Sequence, residues 1–438
     1  MEVQVPFIQA ENSSSPNPEE EEEPKETQLN KSLHLLETFL RVLGFCQYSF
    51  LSFTLSWVSF LLLGVFLPLL IIEISYCSSD CEKYQIKVFE LEILVSQSLG
   101  AAISLLCVSH NLRKYGVRRF LFVDKCHGHM TQFREEYTKK IRGFFRLLLV
   151  WVLPCFLLKA AREVLRIRYV DKDSWWQSAA IIFGLLFSWT FSSIIFLSGS
   201  CLFNLVCNLQ IIHFENYGKL LERDLDVSAY IEEHVRLTHH LSKISHRFRI
   251  FLLLEFLIVT ASQFVALLQT TGNRGIINFI NGGDFAVTSI VELVGIIICL
   301  HAAAKISHRA QALASVTSRW HALVTCNSSN LSQSNNGGNM EASFTSGSGS
   351  MPINYSESDL EAVDFVPVPA NTQLASYMSM YHKRQAFVTY TLSHRGGATI
   401  FGWTVDRALI STIFFVELSL VLFVLGKTIT FSFTSSTK

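Results

Sequence analysis

The chain has 438 residues, 50% of them hydrophobic and 16% charged, against roughly a quarter charged in a soluble globular protein. Its 36 basic residues equal its 36 acidic ones, which argues against a nucleic-acid surface, since that needs a basic excess. Thirty-five Phe, nine Pro and ten scattered Cys exclude a disordered chain, a collagen and a disulfide scaffold, and point to long apolar helices.

Residues 1–32 are acidic and polar (ENSSSPNPEEEEEP) and read as a disordered tail with no signal peptide. Residues 33–325 carry most of the apolar sequence. A membrane helix needs about 20 apolar residues to cross ~30 Å of hydrocarbon. Seven stretches meet this: Tyr48–Ile72, Phe89–His110, Phe144–Ala161, Ser178–Ile212, Ile250–Gln269, Phe285–Ala304 and Ala408–Leu425. The second opens with a polar turn containing Glu90 and Glu92. The third is expected to kink at Pro154. The fourth, some 35 residues, would reach about 52 Å as helix. It either projects beyond the bilayer as one rod or tilts and breaks.

The linking segments carry further signals. Cys77 and Cys81, between spans one and two, either pair in an oxidising exterior or stay free. In residues 226–248, Tyr230, Leu237, Leu241, Ile244 and Phe248 recur on one helical face. Four histidines share that segment: His234, His239, His240 and His246. Adjacent His239 and His240 point in different directions, so packed or solvated histidines are expected and a metal is not. Residues 305–325 continue span six as an Ala-rich helix. Residues 326–364, rich in Ser, Asn and Gly, read as a flexible insert. Residues 365–438 are expected to hold a soluble helix (Leu374–Leu392), span seven and a short outer tail.

Lys and Arg set the orientation. Twenty-four lie on the side of the N-terminus and of the loops after spans two, four and six; ten lie opposite, five of them between Lys159 and Lys172. The N-terminus is therefore expected in the cytoplasm and the C-terminus outside. A G-protein-coupled receptor would have the opposite orientation. The sequons at Asn12, Asn30, Asn327, Asn330 and Asn354 then all face the cytoplasm, where they stay unmodified.

An ionisable group inside a span is costly and marks function by default. Glu255 falls near the cytoplasmic start of span five, an interfacial placement. Glu292, deeper in span six, either lines a polar cavity for a ligand or hydrogen-bonds a neighbouring helix. Glu417 sits near the middle of span seven, on one stripe with Val421 and Val424. One acid among apolar groups suits a cation path with a hydrophobic constriction; a carboxylate buried against a neighbouring helix fits equally well. Arg162, Arg166 and Arg168 form a basic stripe near the outer face, either meeting an anion or snorkelling. No nucleophile–base pair, metal set or phosphate loop is visible, so neither an enzyme nor a cofactor is expected.

Three stretches, LLETFLRVLGFCQYSFLSFTLSWVSF, VSHNLRKYGVRRFLFVDK and WTVDRALISTIFFVELSLVLFVLGKTI, carry a resemblance. The chain resembles the insect odorant and gustatory receptor superfamily, and in particular its plant branch, the gustatory-receptor-like or extracellular ligand-gated ion channel proteins. The resemblance covers about 33–325 and 373–430. In the insect proteins the last helix carries Thr-Tyr, five apolar residues, then Gln-Phe; here the run is Ser419-Leu420, five apolar residues, then Gly426-Lys427. The spacing is kept and the four residues are not. The resemblance implies an all-α membrane protein with seven transmembrane helices extended into a cytoplasmic anchor bundle. It implies a plasma-membrane homotetramer joined through those cytoplasmic helices, and a small extracellular ligand held in the outer half of each subunit. Four last helices would line a cation pore, with Glu417, Val421, Val424 and Lys427 along it. The competing expectation is a membrane scaffold or signalling protein that keeps the fold without conducting.

Overall fold

The computed structural model describes residues 19–75, 87–122, 130–169, 175–221, 226–272, 279–332, 380–394, 396–400, 403–404 and 407–436. Helix α1 is Glu19–Val42, so the expected tail is helical from Glu19 onward. Leu29, Leu33, Leu36 and Leu40 recur at helical spacing and all are buried. Phe39 adds edge contacts to Phe144 and Phe145 at 6.0 and 5.4 Å between ring centres.

The first span has three parts: α2 (Phe50–Phe60), a π turn (Leu61–Phe66) and α3 (Leu67–Ser75). The Ser49 side chain caps α2 by accepting from the Ser52 N–H at 3.2 Å. The π turn has a local cause. Pro68 has no N–H to offer the carbonyl of Gly64; the Ser98 hydroxyl donates to that carbonyl instead, at 3.2 Å.

Five long helices follow: α4 (Lys87–Phe120), α5 (Met130–Tyr169), α6 (Trp175–Leu220), α7 (Val227–Gly272) and α8 (Phe279–Ser332). Helix α5 continues through Pro154 as one helix. Helix α6 is one unbroken helix of 46 residues, roughly 69 Å at 1.5 Å per residue, so it does not break as one alternative had it. Helix α7 joins residues 226–248 to span five. The five expected face residues, Tyr230 to Phe248, are all at most 2% exposed. His234 packs against Tyr217 and Tyr390, and His240 against Phe122. Helix α8 passes the expected start of the insert at 326; the insert beyond Ser332 lies outside the described residues.

Among the described residues two elements follow before the last helix: α9 (Met380–Ser393) and a hairpin of β1 (Thr399–Ile400) and β2 (Trp403–Thr404). The hairpin is antiparallel, with Thr399 opposite Thr404. Its incoming strand is tied to the long helices: the Ala398 N–H donates to Ser307 Oγ at 3.0 Å and the Thr399 N–H to Ser245 Oγ at 3.2 Å. Phe387 of α9, fully buried, lies between Tyr230 of α7 and Trp320 of α8, with ring centres 6.1 and 6.2 Å away. The helical ends on the side that the Lys and Arg excess assigns to the cytoplasm thus share an aromatic core. Helix α10 (Arg407–Ser436) ends the described chain.

Helix α6 is the hub, packing on α3, α4, α5, α7 and α8. Its buried face is rich in small residues, among them Ser192, Ser193, Ser198, Gly199 and Ser200, which let helices approach closely. Among the described residues six helices are long and apolar enough to cross a membrane, and α10 carries a shorter apolar run, Ala408–Val424. Large apolar side chains such as Phe50 and Phe183 stand on the outside, at 83% and 72% exposure, as lipid contact requires. The chain is an all-α membrane protein.

Gly116 marks where α4 stops being regular: its φ is +70°, and no neighbour would touch a side chain there. Its ψ of 160° puts it in a region open essentially to glycine alone, so Gly116→Ala is expected to cost about 1–3 kcal/mol from backbone conformation. Thermal unfolding of the purified protein checks this; an unchanged midpoint would mean the bend relaxes.

Candidate functional site: a buried polar seam

Polar residues inside the bundle form a seam from α10 across α7 and α8 to α4, α5 and α6. At its inner end Glu255 (α7) accepts from Ser200 Oγ of α6 at 2.8 Å and lies 3.5 Å from Cys299 Sγ of α8. It is 1% exposed. Whatever its depth, the carboxyl is enclosed by the bundle, with Ser200 and Cys299 beside it.

Glu292 (α8) bridges two helices. It accepts from Ser96 Oγ of α4 at 2.5 Å and from Ser262 Oγ of α7 at 3.4 Å. Beside it lies a cavity of about 10 Å³, bordered by Gln97, Ser193 and Thr288. That holds about one water; a ligand pocket needs some 300 Å³ or more. Of the two readings of Glu292, the helix–helix hydrogen bond is the one the geometry meets.

Glu417 (α10) is 2% exposed, and Val421 and Val424 are 4% and 0%. The Thr260 hydroxyl of α7 contacts Glu417 Oε1. The same hydroxyl lies 2.7 Å from the Phe256 carbonyl, so one proton faces two acceptors. Glu417 Oε2 has no hydrogen-bond partner, which leaves this carboxyl under-satisfied. Val424 completes a small cluster with Ile93, Ala266 and Phe285. The stripe expected along a pore thus faces the subunit's own core. Its opposite face carries Phe415, Val416, Leu422 and Phe423, at 63%, 48%, 58% and 49% exposure. The side chain of Lys427, and both Cys77 and Cys81, lie outside the described residues.

The outer end of the seam is ionic. Lys159, Arg162, Glu163 and Arg166 occupy one face of α5, at intervals of three, one and three residues. Glu90 (α4) and Asp284 (α8) meet them. Arg162 lies 2.5 Å from Glu163, 3.4 Å from Glu90 and 3.9 Å from Asp284. Arg166 lies 3.5 Å from Glu90 and 3.7 Å from Glu163. Lys159 pairs with Glu163 at 3.3 Å and with Asp284. Lys159, Arg162 and Arg166 balance Glu90, Glu163 and Asp284, and all six are at most 7% exposed. Arg162 and Arg166 do not snorkel; they are held inward. A cavity of about 40 Å³ beside the cluster is bordered by Glu90, Arg162, Asp284, Trp189 and Gln97. Gln97, which donates to the Trp189 carbonyl and to Ser193 Oγ at 3.0 Å each, borders both cavities and joins the ionic end to Glu292.

Sequence reasoning missed this cluster as a unit. The periodicity on α5 was available, but its partners lie 72 and 125 residues away. Among the described residues no group of three metal-ligating side chains converges. The seam can hold waters and charges in a dry setting, and it links α10 to the outer ends of α4, α5 and α8.

Comparison with solved structures finds the same arrangement of helices elsewhere. The insect olfactory receptor OR5 from Machilis hrabei, solved in complex with eugenol, is similar with a TM-score of 0.52 and 13% identity, over 91% of this chain and 99% of that one. At that identity the likeness is one of fold. No curated protein matches the chain in sequence. A family pattern matches residues 31–416, most of the helical chain from α1 to the first third of α10, and by it the protein belongs to the family described as "Protein of unknown function (DUF3537)".

Proposed function

We propose that the chain is one subunit of a homotetrameric, ligand-gated cation channel or channel-like receptor. In this reading four copies join through their cytoplasmic helices and set their α10 helices around a common axis. The observation that carries it is the fold shared along 91% of the chain with an olfactory receptor that holds a small organic molecule. Helix α10 supports it too. It packs mainly against α7 and α8 and leaves Phe415, Val416, Leu422 and Phe423 turned outward. An apolar face on a central axis forms a constriction that closes by dewetting. The seam supports gating. A ligand acts by binding more tightly to one arrangement than another, and the under-satisfied Glu417–Thr260 contact is a weak latch between α10 and the bundle. Because the cavities are water-sized, a ligand entering from outside must part α4, α6 and α8.

The test is single-channel recording from full-length protein in planar bilayers, with subunit number read by native mass spectrometry. Ligand-evoked cation current from a tetramer is the expected result. A tetramer silent to a broad panel of small organic ligands would favour a non-conducting membrane scaffold or signalling protein. One observation favours that second reading: the outward face of α10 is apolar, and the one charged residue of its apolar run, Glu417, is turned inward.

A further inference from the structure

Helix α5 changes character along one face. Lys139, Arg142, Gly143 and Arg146 recur at intervals of three, one and three residues, so they share a side of the helix. The same side continues as Val150, Leu153 and Leu157, all exposed, as lipid contact requires. The basic part spans about 10 Å at 1.5 Å per residue. It lies where the apolar run of α5 begins, at Phe144, on the side that the Lys and Arg excess assigns to the cytoplasm. Its level is therefore that of phospholipid headgroups.

Two features set this face apart from a solvated stripe. The first is shape. Gly143 stands at its centre, and a side chain begun there would meet no other part of the chain within 4 Å. The notch joins a groove against α1 of about 590 Å³ to one against α6 of about 570 Å³; Lys139, Gly143 and Arg146 border both. The second is uncompensated charge. The side chains of Lys139, Lys140, Arg142 and Arg146 make no hydrogen bond or ion pair with any described residue. Of the acids that share the grooves, Glu215 is paired with Arg309 at 3.1 Å. Glu135 and Glu136 lie about a turn nearer the start of α5, farther from the apolar run. Arg146 comes two residues after Phe144. A cation at the edge of a membrane span calls for an anion, and no described carboxylate supplies one.

We propose that the notch at Gly143 seats the headgroup of an anionic phospholipid of the cytoplasmic leaflet, with its acyl chains along Val150, Leu153 and Leu157. The guanidinium groups of Arg142 and Arg146 present paired donors that match phosphate oxygens. Lys139 and Lys140 add charge without a fixed geometry. The negative surface of that leaflet draws clustered Lys and Arg at its boundary. Four unpaired cations favour a headgroup of net negative charge over a zwitterionic one, whose own cation they repel. The site needs only the orientation of α5 and stands whether or not the protein conducts.

The test measures binding of dioctanoyl phosphatidylinositol 4-phosphate to the full-length detergent-purified protein. Dioctanoyl phosphatidylcholine and inositol 1,4-bisphosphate are the comparison probes. The expected result is saturable binding of the phosphoinositide, at least about tenfold tighter than either. Arg142→Gln/Arg146→Gln, at exposed positions with no side-chain partner to lose, should weaken it at least about tenfold. Arg118→Gln/Arg319→Gln removes the same charge from exposed positions elsewhere on that side and should leave binding unchanged. Gly143→Leu keeps every charge, fills the notch and raises helix propensity; it should weaken binding severalfold. Undiminished binding by Arg142→Gln/Arg146→Gln, an equal loss in Arg118→Gln/Arg319→Gln, or equal binding of phosphatidylcholine overturns the proposal. An unaffected Gly143→Leu overturns the notch and leaves a diffuse attraction of charge. Inositol bisphosphate bound as tightly as the lipid overturns the lipid assignment and makes the occupant a soluble phosphate.

Discussion

Replacing Arg162 by Met is expected to destabilise the protein by about 3–5 kcal/mol, because it leaves an uncompensated charge in a dry site. With Arg162 gone, Glu90, Glu163 and Asp284 face only Lys159 and Arg166. Little water is at hand to take up the difference: all six side chains of the cluster are buried, and the cavity of about 40 Å³ beside them has room for a few molecules at most. Lost hydrogen bonds alone would cost less than this; the excess negative charge is what raises the figure. Neutralising one carboxylate separates the two effects. The double variant Arg162→Met/Glu90→Gln restores the balance, and a buried pair replaced on both sides is often nearly neutral. It should recover most of the loss, whereas Arg162→Met with a distant surface change should recover none. Thermal unfolding in detergent reads both. If the single variant melts like wild type, the cluster is open to solvent and Arg162 snorkels after all.

The same cluster bears on orientation. Five of the ten basic residues on the minority side fall between Lys159 and Lys172, which looks like an objection to a cytoplasmic N-terminus. Lys159, Arg162 and Arg166 are not loop residues facing water: they are within α5 and paired across to α4 and α8. Charges of that kind carry little weight in the loop bias that sets topology.

What the sequence made legible follows from how local each signal is. The spans were readable because twenty apolar residues in a row need no partner to be recognised. The face from Tyr230 to Phe248 was readable because helical spacing marks a buried side wherever the other wall lies. Helix α1 was obscured by its own composition. Its N-terminal run Glu19–Glu23 resembles disordered sequence, while Leu33, Leu36 and Leu40 lie across the boundary drawn at 32 and Leu29 falls just short of it. Pro68 was legible, but the donor that takes up the Gly64 carbonyl it leaves free, Ser98 of α4, is non-local and was out of reach. The direction of the Glu417 stripe was ambiguous in principle. An acid between apolar residues has the same spacing whether it faces an axis or a neighbour. Only Thr260, Ile93 and Phe285, from three other helices, decide that it faces inward.

That inward placement turns the channel reading into two opposed expectations for one helix. Glu417→Gln should leave ion selectivity unchanged, since the side chain faces α7 and not the proposed axis. It should instead change how much ligand is needed. In the wild type Thr260 has one hydroxyl proton for two acceptors, and Glu417 Oε2 is bare. An amide can donate to Thr260 Oγ1 while Thr260 donates to the Phe256 carbonyl, which ends the competition for the one hydroxyl proton and adds a hydrogen bond, though the amide oxygen stays bare. A completed hydrogen bond is worth about 1 kcal/mol, so the resting latch holds tighter and half-activation needs about fivefold more ligand. Phe423→Ser acts on the other face. At 49% exposure it should move stability by no more than about 0.5 kcal/mol, yet a hydroxyl in an apolar constriction favours wetting. Current without ligand is the expected result. Reversal potentials under mixed cations, with dose–response curves, test both variants together. A shifted reversal potential in Glu417→Gln would mean that ions pass this carboxyl and that α10 turns its other face to the axis. A silent Phe423→Ser in an intact tetramer would remove the outward face from the pore.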